Sequence, residues 1–264
     1  MKTINSYAAG NRQQGRAAGV KRLTLVIPLF TLLFLSTFAH ADYILFYAGD
    51  FNPQDPNANA LANENDAIVS GNPYGAATYQ NFIIPAGHTW YINSMFTNNL
   101  ASINPQAGYW ELRTGMSEGN GGTLIASGTN ALGPGSFDWT PTGRNGFGLT
   151  EYQAHVQGLG LTVGSGQYWE SVVPIALNDN GRSFNSNTFN CFASSCIGTE
   201  QDDDQFFNSA FFAANYDNAN NWGVFQRFSS GIDGYDATPE PSTLVMLGSS
   251  VVGVGALLRR RFNS

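Results

Sequence analysis

The chain has 264 residues, room for one domain with flanking segments or for two small ones, and a formal net charge of −7. That charge is divided: residues 1–41 hold five basic groups and no acid, residues 42–238 hold 18 acids against four arginines and no lysine, and three arginines come near the end. So acidic a central segment repels nucleic acid and anionic lipid, and its Gly, Asn, Ser, Thr and aromatic content fits an exported β-rich domain better than a helical cytosolic enzyme.

In chain order, residues 1–41 read as a secretory signal peptide. Lys2, Arg12, Arg16, Lys21 and Arg22 precede the apolar run "LTLVIPLFTLLFLSTFA", and Ala39 and Ala41 stand at A-x-A spacing after it. An N-terminal signal helix is therefore expected, with cleavage after Ala41 and Asp42 as the mature N-terminus. Retention as a membrane anchor is the alternative, and Pro28 and the A-x-A site weigh against it. Residues 42–237 are expected to form the exported domain. It opens with the strand-like "YILFYAG". Residues 48–77 are rich in turn formers and predict an irregular loop with one short turn of helix near Leu61. Beyond them, "TYQNFIIP", "TWYINSMFTNN", "GYWELRTG", "GTLIASG", "TEYQAHVQGLGLTV", "GQYWESVVPIAL", "FFNSAFFAANY" and "WGVFQRF" are short β-type runs parted by Gly, Pro and Asn. No sustained helical period interrupts them. The fold class predicted is mainly β, an antiparallel β-sandwich or jelly roll.

Few residues of this region suggest chemistry. Tyr109-Trp110-Glu111 recurs as Tyr168-Trp169-Glu170, and both tryptophans are expected in the core. Glu111 and Glu170 are weak candidates for the carboxyl pair of a glycoside hydrolase, which works with its two groups about 5–10 Å apart. The simpler expectation is two solvated strand residues, with Glu111 in a surface ion pair with Arg113. Asp202, Asp203 and Asp204, beside Glu200, are weak calcium candidates, and Asp50, Glu64 and Asp66 weaker ones still. Neither group has D-x-D-x-D-G spacing, so a solvated acidic loop is the simpler reading and no cofactor is otherwise implied. Cys191 and Cys196 are the two cysteines, and export makes a disulfide between them the default. His88 and His155 are the two histidines of the mature chain, with no G-x-S-x-G elbow to supply a serine nucleophile.

Residues 238–264 change character. Pro239-Glu240-Pro241 is extended by its prolines, Thr243 to Leu258 is uncharged, and Arg259, Arg260 and Arg261 follow. The uncharged run as a helix is about 24 Å long, at the short end for a C-terminal transmembrane helix, and the arginines hold its end in the cytoplasm. The arrangement of Pro-Glu-Pro, apolar helix and arginine cluster, with an N-terminal signal, resembles the PEP-CTERM sorting signal of Gram-negative bacteria. That resemblance implies passage through the secretion machinery, a transient inner-membrane stage, and recognition by an exosortase, a membrane cysteine protease that cuts near Pro-Glu-Pro and delivers the protein to the cell surface or the medium. The same tail is also known as an ice-binding protein C-terminal motif. That label concerns the tail alone, since no T-x-T repeat for an ice-binding face occurs elsewhere. The runs around "YWELRTG" and "GQYWESVVP" resemble exported β-sandwich domains found with such tails, which implies a fold and no activity. The function expected is a non-enzymatic matrix, adhesion or carbohydrate-binding module with exopolysaccharide or other glycans as partners; the alternative is an extracellular glycoside hydrolase using Glu111 and Glu170.

Overall fold

The structure is a computed structural model that describes residues 41–66, 75–177, 179–188, 196–198, 204–225, 227–238 and Arg259. These residues are β almost throughout, with a single turn of 3-10 helix at Ala219–Trp222. No helix among them is long and apolar enough to cross a membrane. The signal and transmembrane helices expected at the two ends fall outside the described residues.

Two long strands organise the fold: β4 (Ala76–Ala101) and β8 (Leu149–Ala176) pair antiparallel from Gln80↔Glu170 to Ala101↔Thr150. Each absorbs two of the runs expected to be separate strands. On one side of β4 lies β13 (Ser230–Asp236), which pairs in turn with β1 (Tyr43–Tyr47). On the far side of β8 lies β5 (Ala107–Thr114), then β6 (Thr123–Ala131). β7 (Phe137–Gly146) pairs with the first part of β8, and β9 (Ser183–Thr188) with the end of β4. β2 (Ala60–Ala62) and β12 (Arg227–Phe228) flank β9, while β10 (Phe206–Ser209) joins β4 to β11 (Ala214–Asn218). β3 (Asn65–Asp66) makes the one parallel pairing among the described strands, with β8.

The expectation of two separate facing sheets is corrected here. All 13 strands belong to one hydrogen-bonded, predominantly antiparallel sheet with open edges, and its layers arise because that sheet doubles back. The pairing of β4 with β8 breaks between Ile84 and Thr89, where Pro85, Ala86 and Gly87 bulge into solvent and Gly87 takes φ +84°. The rings of Phe82 and Trp90 stack at 5.8 Å, whereas eight residues of extended strand span about 26 Å. Both arms of the bent hairpin therefore face one core: Phe82 and Ile84 from one, Ile92, Met95, Val156 and Val163 from the other, closed by Phe46, Trp110, Leu112 and Ile232. Burying each such side chain stabilises the fold by roughly 1.5–3 kcal/mol before entropy is counted. A second core on the opposite face of the first arms holds Tyr79, Trp169, Val173 and Phe206. Both repeated tryptophans are buried as expected, but in different cores.

Two further expectations change, and three strands were not anticipated. Leu61 lies in a strand, not a helical turn, because its backbone pairs with Asn185 of β9 and tertiary pairing overrides the local turn signal. "WGVFQRF" is not one strand: its Trp ends the 3-10 turn, and Gly223 takes φ +80° to close it. β7, β9 and β13 carry too few apolar residues to show period-2 patterning. In β9, Ser183, Asn185, Ser186, Asn187 and Thr188 are buried all the same, on hydrogen bonds that include Asn185 to Thr78 Oγ1 (2.9 Å) and Ser186 Oγ to Glu151 (2.7 Å).

Candidate functional site

Where β1, β13, β4 and β8 run side by side, irregular backbone opens a polar cleft of about 290 Å3. The register shifts between Ile44 and Phe46, between Asp233 and Gly234, and between Ile92 and Ser94, so bulges on neighbouring strands converge at one place. Such bulges re-aim side chains that a regular ladder would hold in line. Gly234 is required there, since a Cβ would sit 1.9 Å from Tyr91 O.

Each strand contributes polar groups to this cleft. Ser94 Oγ donates to Asp233 Oδ2 (2.9 Å), and His155 Nε2 lies 3.3 Å from the same oxygen, within ion-pair reach when protonated but not aligned as a hydrogen bond. The imidazole stands edge-on to Phe96. Asn93 Nδ2 donates to Asp42 Oδ2 (2.5 Å), and Gln157 Nε2 donates to Asp138 just beyond the cleft. Tyr43 and Ile44 form an exposed apolar edge, and on the other side of Ile44 a second cleft of about 310 Å3 is bounded by Tyr47, Thr142, Arg144 and Gln153. The arrangement offers carboxylates, amides, a hydroxyl and aromatic edges to a ligand rich in hydroxyl groups. It does not make a Ser-His-Asp relay, because Ser94 donates to Asp233 instead of to His155.

The glutamates singled out in the sequence are elsewhere. Both are fully buried, which corrects the expectation that they are solvated. The ion pair of Glu111 with Arg113 exists, but inside the second core: Tyr79 OH (3.1 Å) and Tyr109 OH (2.7 Å) also donate to Glu111, and Arg113 Nη1 donates to Gly121 O. Burial first, then the Glu111 carboxylate, raises the Tyr79 phenol well above its usual range, so it remains a donor. Glu170 sits opposite Leu112 and next to Val172's side of β8, facing the first core. Neither of its carboxyl oxygens makes a hydrogen bond of good geometry. Desolvation pushes its pKa up to about 8, an effect that the nearby Ser230 only partly offsets. Residues 111 and 170 thus point to opposite faces of the sheet and cannot flank one glycosidic bond.

Two pairs not anticipated from sequence repeat the Glu111–Arg113 theme. Arg182 Nε donates to the buried Glu64 (2.7 Å), whose other oxygen accepts from Ser183 N (2.6 Å). Arg144 joins buried Glu151 to Asp50, both at 2.5 Å. Asp50 and Glu64 are thereby committed to arginines, and of the calcium candidates around residue 202 only Asp204 is described. Its carboxylate accepts from Gln167 (2.6 Å) and its carbonyl from Trp169 Nε1 (2.7 Å). Among the described residues no group of three metal-ligating side chains comes together. Asp202, Asp203, Cys191, Ala39, Pro239, Glu240, Pro241, Arg260 and Arg261 lie outside the described residues. Ala41 and Arg259 are exposed, and Cys196 Sγ stands 3.0 Å from Ala48 O. His88 is paired with Asp236 at the end of β13.

These features define a β-sheet domain with a polar surface cleft. Residues 237–261 match the PEP-CTERM protein-sorting motif, the tail signal that the resemblance named. Comparison of the chain with curated proteins and with solved structures found no match.

Proposed function

We propose that the folded domain is a non-enzymatic glycan-binding module, carried to the cell surface or the medium by its sorting motif, where it acts in an exopolysaccharide matrix or in adhesion. The observation that carries the reading is the cleft around Asp233. Bulges on adjoining strands set carboxylates, amides and a hydroxyl in one concave surface beside Tyr43 and Ile44. Neutral sugars suit a surface of this acidity, because each ligand hydroxyl donates to a carboxylate and accepts from an amide without bringing a like charge. The second cleft beyond Ile44 extends the polar surface along β1, as a polymer requires.

Binding of the processed protein to an array of neutral and acidic polysaccharides tests this. Expected is retention on a neutral glycan, unchanged by EDTA, and a loss of about tenfold in affinity for Asp233→Asn, the size of one charge-assisted hydrogen bond. Binding to none of the glycans, or equal binding by the variant, would sink the assignment of this cleft.

A further inference from the structure

The structure points to a clasp at the junction between the domain and its sorting tail. We propose that this clasp competes with the sorting protease for the chain just ahead of Pro239, so that tail removal waits on its opening. The proposal rests on the chain being an exosortase substrate, and it concerns access, which that reading leaves open.

The sheet does not release the chain at a linker. Asp236, the last residue of β13, pairs with Trp90, and its N–H reaches Tyr43 OH at 3.3 Å. Ala237 N then donates to Thr89 O (2.7 Å), Thr89 N donates to Thr238 Oγ1 (2.8 Å), and Thr238 N donates to Asp236 Oδ1 (2.9 Å). Asp236 Oδ2 is held by His88 Nδ1, and Thr238 Oγ1 lies 3.4 Å from Gly87 O. Against a desolvation effect that works the other way, the bonds from His88 and Thr238 hold the Asp236 carboxyl below its usual range. The bend that doubles the sheet back thus grips the chain up to the residue before Pro239. Proline has no N–H, so a proline at position 239 has no donor with which to extend the ladder.

The sorting motif begins at Ala237, inside this grip. An enzyme that reads a substrate as an extended strand does so through backbone N–H and C=O groups. Here the N–H groups of residues 236–238 are already bonded within the domain. Cleavage itself is ordinary acyl transfer: the amide C–N bond breaks, the acyl carbon passes through the protease thiol to water or an amine acceptor, and the leaving nitrogen takes a proton. The clasp alters only how often the chain is free to enter that reaction.

Pulse–chase labelling of the full chain in a host with active exosortase measures the rate of tail loss. His88→Ala, which lies outside the motif and is half exposed, is expected to lose its tail about threefold faster, the scale of a partly exposed ion pair. Thr238→Val is expected to be faster as well, and Thr238→Ser, which keeps the hydroxyl, to match the wild-type rate. An unchanged or slower rate for His88→Ala overturns the clasp. Retention of the tail by the wild-type chain would instead remove the sorting reading itself, so the two failures are distinct.

Discussion

Three of the four arginines of the mature domain each neutralise a buried glutamate: Arg113 with Glu111, Arg144 with Glu151, Arg182 with Glu64. Truncating one partner strands the other charge in the interior, so Arg113→Ala is expected to lower unfolding stability by roughly 3–5 kcal/mol in urea, while Glu111→Gln costs less because its tyrosine donors survive. Glu170 is the contrasting case, buried with no arginine. Its folded pKa of about 8 stands above the usual 4.5, so the native state keeps a proton that the unfolded chain releases. Stability from this group is complete below about pH 4.5 and falls as pH rises to about 8, a loss on the order of 4 kcal/mol. Glu170→Gln is expected to remove that slope and raise Tm at pH 8; a Tm difference independent of pH would refute the assignment. Cys191 and Cys196 are expected to be disulfide-linked in the exported protein, contributing about 2 kcal/mol by closing a short loop. Two thiols titrated in unreduced protein would show otherwise.

Among the elements, the two layers come into close contact at β5. A Cβ on Gly108 would approach Phe137 to 2.6 Å and Val156 to 3.0 Å, so glycine there lets β5 lie against β7 and β8. Gly108→Ala is expected to cost about 1–3 kcal/mol by overpacking, read as a lowered urea midpoint with m unchanged. Strands of this kind were visible in the sequence where one face is apolar: "GYWELRTG" alternates, and Trp110 and Leu112 do enter the core. β9 and β13 were not visible, because serine, asparagine and glycine are buried there by hydrogen bonds and close backbone approach rather than by hydrophobic transfer. The cleft was equally illegible, since Asp42, Ser94, His155 and Asp233 are far apart in the chain and meet only through bulges.

For the whole molecule, the pairing Tyr43↔Gly234 brings the start of β1 and the end of β13 to one end of the sheet. The expected signal cleavage after Ala41 and the sorting motif from Ala237 therefore border the same edge. A domain can fold there while its chain is still held at both ends. Intact mass of the exported protein is expected to show Asp42 as its first residue and loss of the segment beyond Pro-Glu-Pro. The sorting motif was legible because such a signal is written locally, in a short pattern of proline, apolarity and charge. β character was legible for a similar reason, since alternation and turn residues act within a few positions. The faces occupied by Glu111 and Glu170, the doubling of one sheet into layers, the arginine partners of buried acids and the clasp at Thr238 were decided only by tertiary structure. Each depends on register between strands tens to more than a hundred residues apart, and a shift of one residue would turn every one of those side chains to the other face.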